Sequence, residues 1–255
     1  KALTGDEAMN YVLATDAVTT KADIAQKQLT VTEFAAANKT YDGTDKATIT
    51  NAGKLNGVLE SDAAKVALSN TGATFDTKNA GTGKTVTLNG KSLTGDEAKN
   101  YVLASDAVTA KADITQKAIT LTGFDAANKV YDGNTVAQIV SSGSLTGVVQ
   151  NDTVMVSNSG AIFDTKNAGT AKTVTLNGVQ LSGADAGNYN LIQPTGLSAN
   201  ITKADVTVSG ATASNKVYDA TNSATVTGGS VTALQSDVIT LSAASAISCV
   251  RIFGV

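Results

Sequence analysis

The 255-residue chain has a formal net charge of −3, no histidine, no tryptophan and one cysteine. The commonest general base, the commonest transition-metal ligand and an internal disulfide are therefore excluded, and there is no basic field to attract nucleic acid or anionic lipid. No apolar run reaches the roughly eighteen residues of a membrane span. The composition disfavours an enzyme, a nucleic-acid-binding protein and a membrane-inserted segment.

Internal repetition dominates the sequence. Residues 3–27 read LTGDEAMNYVLATDAVTTKADIAQK, and residues 93–117 read LTGDEAKNYVLASDAVTAKADITQK. FDTKNAGTGKTVTLNG at 75–90 returns as FDTKNAGTAKTVTLNG at 163–178, and NKVYDG at 128–133 returns as NKVYDA at 215–220. A repeat of about ninety residues is too long for one coil of a β-helix and fits a small autonomous domain.

The repeats predict four segments. Residues 1–26 carry the terminal strands of an incomplete repeat, with Tyr11 and an alternating pattern at Val18, Thr20, Ala22 and Ile24. Residues 27–115 and 116–203 each form a full β-sandwich repeat. Residues 204–255 form the opening half of an incomplete repeat, and its last residues, SCVRIFGV, match no other part of the chain. The chain is accordingly expected to be a fragment or a processed piece.

Within each full repeat, short runs of alternating apolar residues are separated by turn signals, and no segment has a sustained helical period. The pattern predicts about seven strands per repeat, which is typical of a two-sheet immunoglobulin-like β-sandwich. Only Thr115, Gln116 and Lys117 separate the last strand of one repeat from the first strand of the next. Because this connector contains neither Pro nor Gly, the all-β repeats are expected to form an elongated, stiff rod.

A local motif near the end of each repeat resembles the tyrosine corner of immunoglobulin domains. An acid precedes a tyrosine by four residues, and an apolar residue follows the tyrosine by two. The predicted structural corner residues are Tyr11, Tyr101, Tyr189, Glu97 and Asp185. An ordinary loop-to-strand turn is the alternative interpretation, and in both cases the tyrosines are structural.

A second motif is the repeated turn formed by Tyr41, Asp42, Gly43 and, in the next repeat, by Tyr131, Asp132, Gly133. Together with FDTKNAGTAKTVTLNG and LSGADAGNYNL, this turn makes the chain resemble the YDG-type repeats of bacterial surface proteins, including filamentous haemagglutinin-like adhesins. The resemblance implies an extracellular, non-catalytic stalk or spacer at the bacterial cell surface, with no cofactor. The third copy reads Tyr218, Asp219, Ala220, and the loss of glycine puts its turn geometry in question.

Several other functions remain open. The partners expected for a spacer are neighbouring repeats or other copies of the chain, but the inter-strand loops could instead bind a ligand or glycan on a host or sibling cell. The two incomplete ends are complementary, so head-to-tail strand addition could build a filament. Calcium is the one alternative cofactor, at the aspartates of the YDG turns.

Two further chemistries are weaker alternatives. Lys78 with Asn79, and Lys166 with Asn167, could form intramolecular isopeptide crosslinks. The residues GTGK at 81–84 superficially resemble a phosphate-binding loop but do not satisfy its full pattern.

Overall fold

The computed structural model describes residues 2–14, 19–221, 223–234 and 237–241, and its secondary structure is almost entirely β-strand. The helices of this part of the chain are four short 3₁₀ turns, at Ala8–Asn10, Glu60–Asp62, Ala98–Asn100 and Ala186–Asn188. The predicted all-β class is confirmed. None of the helices in these ranges is long and apolar enough to cross a membrane.

The chain divides into two compact units. Unit 1 comprises Lys1–Thr40 and Thr44–Thr115, and unit 2 comprises Tyr41–Gly43 and Gln116–Val255. The division at Thr115 falls within the connector identified in the sequence. Tyr41–Gly43, which lie in the predicted repeat 27–115, belong instead to unit 2.

Unit 1 contains twelve strands among its described residues. They are β1 (Lys27–Thr32), β2 (Ala35–Ala36), β3 (Lys39–Thr40), β4 (Lys46–Ala47), β5 (Ile49–Asn51), β6 (Lys54–Asn56), β7 (Ala67–Ser69), β8 (Gly72–Phe75), β9 (Gly81–Asn89), β10 (Ser92–Thr94), β11 (Tyr101–Leu103) and β12 (Thr109–Thr115). A five-stranded sheet has the order β3-β12-β9-β8-β4, a three-stranded sheet has the order β11-β1-β6, and two pairs, β10-β7 and β2-β5, complete the unit. Most pairs are antiparallel, but β1 with β11 and β12 with β3 are parallel.

Unit 2 repeats this arrangement. Its strands are β13 (Lys117–Ala126), β14 (Lys129–Val130), β15 (Val136–Ala137), β16 (Ile139–Thr146), β17 (Met155–Ser157), β18 (Gly160–Phe163), β19 (Gly169–Asn177), β20 (Gln180–Ser182), β21 (Tyr189–Ile192), β22 (Ser198–Thr202), β23 (Val208–Ala213) and β24 (Val226–Val231). The sheets β14-β22-β19-β18-β15 and β16-β13-β21 correspond to the two larger sheets of unit 1. The hairpin β23-β24 belongs to the third copy of the repeat.

Alternation in the strands places one face in a core. In β12, Ala112 and Ile114 are 4% and 2% exposed, and the residues between and beside them point outward. Phe124, Phe163 and Ile201 form the equivalent buried cluster in unit 2. Since full burial of one such side chain contributes about 1.5–3 kcal/mol, these alternating positions account for much of the stability of each unit.

A bulge interrupts the pairing of β9 with β12. The register shifts between Ala112 and Ile114, and the backbone N–H of Gly83 donates to Asp113 Oδ1 at 2.7 Å. In unit 2, the N–H of Ala171 donates to Asn200 Oδ1 at 2.8 Å. Gly83 and Ala171 have φ values of +59° and +48°, so the same left-handed position is occupied by glycine in one repeat and by alanine in the other.

Two sequence predictions differ from the structure. About seven strands per repeat were expected, whereas residues 27–203 contain twenty-two, because bulges and turns divide longer segments into two- and three-residue pieces. The terminal strand predicted through Thr20, Ala22 and Ile24 is wrong: residues 19–26 contain no strand, and Ile24 is 99% exposed. Alternation alone does not form a strand without a neighbour to pair with. Val18 and SCVRIFGV lie outside the described residues.

Candidate functional site

The YDG turns, at Tyr41–Gly43, 131–133 and 218–220, are each held by the lysine that precedes the tyrosine by two residues. Lys129 Nζ donates to Asp132 Oδ1 at 2.8 Å, to the Asn134 carbonyl at 2.9 Å and to the Val136 carbonyl at 3.0 Å. The ammonium also lies 5.6 Å from the centre of the Phe163 ring. One lysine therefore binds the acid, the backbone of the turn and a core aromatic ring.

In the other two copies, the lysine at the same position also binds its own turn, with partly different partners. Lys39 Nζ donates to the carbonyls of Thr44 and Lys46 at 2.8 and 3.0 Å and lies 5.7 Å from the centre of the Phe75 ring. Lys216 Nζ donates to Asp219 Oδ1 at 2.8 Å. The sequence did not predict this role of the lysine in holding the turn, although its signal was present in the repeated NK before the tyrosine.

The third position of each turn has a positive φ: +81° at Gly43, +79° at Gly133 and +61° at Ala220. The third copy therefore keeps the turn geometry that its sequence had put in question. An L-residue in the left-handed region is strained by roughly 1–2 kcal/mol. The hydrogen bonds of Asp219 to Lys216 and to the Thr221 N–H at 3.0 Å offset this cost.

The aspartates of the turns were the predicted calcium ligands. Asp132 Oδ1 accepts from the Lys129 ammonium and from the Asn134 N–H at 3.2 Å, and the lysine contact lowers the pKa of Asp132. Within the described ranges, no group of three His, Cys, Asp or Glu side chains is placed to hold a metal ion. The charge that this carboxylate meets is the lysine of its own turn.

Tyr101 and Tyr189, the predicted corner tyrosines, are 4% and 3% exposed. Tyr101 Oη accepts from the Leu59 N–H at 3.3 Å, and Tyr189 Oη accepts from the Val149 N–H at 3.0 Å. Each hydroxyl thus has the backbone partner that a buried phenol requires.

Each hydroxyl also donates to a carboxylate that the corner motif does not include. Tyr101 donates to Asp62 Oδ2 at 2.7 Å, and Tyr189 donates to Asp152 Oδ2. The signal for this acid was its recurrence at the same place in both repeats. We call Leu59, Asp62 and Tyr101 the socket of unit 1, and Val149, Asp152 and Tyr189 the socket of unit 2.

The acids four residues before the tyrosines have another role. Glu97 Oε2 accepts from Asn100 Nδ2 at 2.7 Å, and Asp185 Oδ2 accepts from the Thr153 N–H at 2.9 Å. They hold the 3₁₀ turns Ala98–Asn100 and Ala186–Asn188 and the loops beside them. These turns direct each corner tyrosine into its socket.

Tyr11 follows the same 3₁₀ turn but differs in burial. Glu7 Oε2 accepts from Asn10 Nδ2 at 2.6 Å, as Glu97 does from Asn100. Tyr11 is nevertheless 73% exposed. The local turn therefore forms from nearby residues, whereas burial of the tyrosine requires the strands that surround Tyr101 and Tyr189.

The socket of unit 2 holds the YDG turn Tyr41–Gly43. Tyr41 is 1% exposed, and its hydroxyl donates to Asp152 Oδ2 at 2.8 Å. Its ring contacts Tyr189 edge to face, with centroids 5.4 Å apart and an angle of 78°. Gly43 lies so close to Val149 that a Cβ built on it would be 2.8 Å from Val149 Cγ1. The turn is bound by an acid, an aromatic edge and an apolar contact.

A related contact occurs elsewhere in unit 2. The Tyr131 hydroxyl donates to Asp237 Oδ2, and Lys166 Nζ donates to Asp237 Oδ1 at 2.9 Å. Lys166 also lies 5.9 Å from the centre of the Tyr131 ring. Both hydrogen bonds lower the pKa of Asp237, and the bond from Tyr131 has the larger effect. Lys166, a residue considered for an isopeptide crosslink, is here the ion-pair partner of an aspartate.

Burial and a neighbouring carboxylate raise the pKa of the tyrosine phenol in both sockets. Burial, followed by the hydrogen bond to Asp152, raises the pKa of Tyr189 to about 12. Burial and the bond to Asp62 also raise the pKa of Tyr101, and the bond from Tyr101 lowers that of Asp62. At neutral pH, each socket therefore holds a neutral phenol, and the Asp62 carboxylate of unit 1 is ionised.

Aromatic rings that could stack on a sugar lie mainly inside the units. Phe75, Phe124 and Phe163 are 3%, 8% and 1% exposed. The residues GTGK at 81–84 lie in β9, a strand, where a phosphate-binding loop would be followed by a helix. The buried phenylalanines and the GTGK segment therefore do not form a candidate site of their own beside the sockets and the lysine-held turns.

A protein-family model described as the YDG domain matches residues 25–110, 115–196 and 202–248. No curated protein matches the chain, and no solved structure matches it.

Proposed function

Because the chain belongs to the YDG domain family, we propose that it is a non-catalytic structural spacer, a stalk segment of a bacterial extracellular adhesin or surface filament. The observation that carries the proposal is that charged and phenolic side chains form hydrogen bonds inside the units, and that these bonds recur from one copy of the repeat to the next. Asp62 and Asp152 bind tyrosines, and Lys39 and Lys129 hold turns. Repeats built in this way add length and stability without adding a reactive group.

The proposed architecture is a stiff row of immunoglobulin-like sandwiches. Its support is the pair of larger sheets that recurs in each unit and the short connector, since β12 ends at Thr115 and β13 begins at Lys117. A one-residue link leaves little freedom for a hinge. We expect rigid extension with each added repeat.

Small-angle X-ray scattering tests the architecture. The 255-residue chain would be compared with a longer version in which residues 116–203 are duplicated in tandem. We expect the maximum dimension to grow by one repeat length while the cross-section stays constant. A larger cross-section at unchanged maximum dimension would refute the rod.

A display experiment tests the spacer role itself. The chain would be anchored on a bacterial surface with a distal epitope tag, and capture of antibody-coated beads would be measured. The matched control replaces residues 27–203 with a Gly/Ser linker of equal residue number. We expect greater tag reach with the repeats than with the flexible control. Equal reach would contradict the spacer role, and tag-independent capture by host glycans would favour the ligand-binding alternative.

A further inference from the structure

Three Asn-Gly dipeptides occur in the sequence, at 56–57, 89–90 and 177–178. An asparagine that precedes glycine can lose its side-chain amide spontaneously, because no side chain on the glycine hinders the approach of its backbone nitrogen to the asparagine Cγ. The five-membered ring that forms is a succinimide. Exposure and hydrogen bonding distinguish the three sites.

Two of these sites are restrained. Asn89 is half-buried at the end of β9, where its carbonyl accepts from the Thr71 N–H at 2.9 Å and its Nδ2 donates to Thr74 Oγ1 at 3.1 Å. Asn177 is half-buried at the end of β19, and its carbonyl accepts from the Ser159 N–H at 2.9 Å. The glycines that follow lie against the side chains of Thr71 and Ser159. Ring closure at either site would break these contacts.

Asn56 lacks such restraints. It is the last residue of β6, and both Asn56 and Gly57 are exposed. Among the described residues, none hydrogen-bonds to the Asn56 side chain. Thr146 and Gly147, the equivalent residues of unit 2, are also exposed, although Tyr41 fills the socket of that unit. Exposure at this position therefore belongs to the repeat and does not depend on an empty socket.

We propose that Asn56 is a site of spontaneous deamidation, which converts it to aspartate and isoaspartate. A hydroxide ion takes the proton of the Gly57 backbone N–H, and the nitrogen attacks Asn56 Cγ. The Cγ–Nδ2 bond then breaks, and the side-chain nitrogen takes a proton from water and leaves as ammonia. This modification goes beyond the spacer role and does not depend on it.

Water opens the succinimide at either of its two carbonyls. Attack at Cγ breaks the bond from Cγ to the Gly57 nitrogen and leaves an aspartate in a normal main chain. Attack at the main-chain carbonyl breaks the original peptide bond, so that Gly57 stays attached through Cγ and residue 56 becomes isoaspartate. Both products carry a new carboxylate, and neither step requires an oxidant, a reductant or an enzyme.

Isoaspartate at this position alters a strand pair. The main chain then runs through Cβ and Cγ of residue 56 and is one carbon longer. β6 pairs with β1 in an antiparallel ladder that ends at Asn56 opposite Thr30, so the added carbon misplaces the last backbone groups of the ladder. Leu55, the preceding residue, packs against the buried Leu29 and Tyr101. Deamidation therefore loosens the sheet β11-β1-β6 of unit 1 and leaves unit 2 unchanged.

Peptide mapping by mass spectrometry tests the proposal on the full chain, incubated folded and in denaturant at mildly alkaline pH. In denaturant, the three Asn-Gly sites should react at similar rates. In the folded chain, Asn56 should react about tenfold faster than Asn89 or Asn177, since each of these must first break a hydrogen bond. Labelling by an isoaspartyl methyltransferase should detect isoaspartate at position 56, which direct hydrolysis of the amide does not produce.

The two repeats supply matched variants. Asn56→Thr introduces the residue that unit 2 has at the equivalent position and should abolish isoaspartate formation in β6. Thr146→Asn creates the same dipeptide with Gly147, at a position that is also exposed, and should deamidate at a rate close to that of Asn56. A variant Thr146→Asn that is as slow as Asn89 would contradict the role of exposure.

Hydrogen exchange before and after incubation measures the structural consequence. Amides of β1 and β6 should lose protection after deamidation, whereas those of β13 and β16 should keep it. Faster reaction at Asn89 or Asn177 than at Asn56 in the folded chain would overturn the proposal. So would aspartate without isoaspartate at position 56, or an Asn56 that stays intact in the folded chain while the denatured chain reacts. Unchanged exchange in β1 would overturn the loosening of the sheet.

Discussion

Asp62 and Asp152 occupy equivalent positions in two copies of one repeat, but their environments differ. Asp62 accepts from the corner tyrosine Tyr101, whereas Asp152 accepts from the corner tyrosine Tyr189 and also from Tyr41 of a YDG turn. The sequence shows only that two tyrosines recur in each repeat. The comparison shows that these two tyrosines have different roles. The corner tyrosine completes the socket of its own unit, and the YDG tyrosine occupies a socket that is already formed.

Of the substitutions that test this distinction, Tyr41→Ala is expected to have the largest effect on stability. Tyr41 is 1% exposed, so loss of its ring should lower the unfolding free energy of unit 2 by about 3–5 kcal/mol. Hydrogen exchange should show lost protection at the Val149 amide and unchanged protection at the Leu59 amide. Tyr218→Ala is the control, with an expected effect within about 0.5 kcal/mol. Equal loss at both amides would contradict the separate roles.

A double-mutant cycle tests the shared carboxylate. Tyr189→Phe leaves the Val149 N–H without its acceptor and should cost about 1–3 kcal/mol in chemical denaturation. Because Tyr41 and Tyr189 donate to one oxygen of Asp152, the effects of Tyr41→Phe and Tyr189→Phe should be coupled by at least about 0.5 kcal/mol. The control pair, Tyr41→Phe with Tyr101→Phe, should be additive. Additivity in both pairs would mean that the two hydroxyls act independently.

The bulge offers a smaller and cleaner comparison of the two repeats. Gly83 and Ala171 share a left-handed backbone, and a Cβ at Gly83 would meet nothing within 4 Å. Gly83→Ala should therefore destabilise unit 1 by about 1 kcal/mol through backbone strain alone, and Ala171→Gly should stabilise unit 2 by about 0.5–1 kcal/mol. Thermal unfolding measures both changes. Opposite signs would show that the alanine is accommodated without strain.

At neutral pH, titration of Tyr189 has the smallest expected effect on the unfolding free energy of unit 2. The pKa of Tyr189 is raised from 10.0 to about 12, so the neutral phenol contributes its full stability below pH 10, and this stability is lost as pH rises through about 12. Unit 2 should weaken over that interval. Tyrosinate absorbance and circular dichroism would follow ionisation and unfolding, with Tyr189→Phe as control. The same alkaline loss in the variant would exclude Tyr189 as its source.

Local pattern predicted much of the fold. Alternation predicted that Ile119 and Leu121 lie on one face of a strand, and both are buried in β13. This prediction is local, because successive side chains of any strand point to opposite faces. The same reasoning failed at Ile24, where no strand forms. A pattern states which face would be buried, but pairing requires a neighbouring strand that the pattern does not supply.

The sequence by itself determined the repeat and the family, which follow from comparing whole segments of the chain, and the all-β class and the turns, which depend on residues a few positions apart. Only the tertiary structure decided what the tyrosines bind. Tyr101 lies 39 positions from Asp62, and Tyr41 lies 111 positions from Asp152, so no local period relates donor to acceptor. Such contacts form because sheet pairing brings distant strands together, and a buried hydroxyl then bonds to the acceptor that the folded chain places beside it.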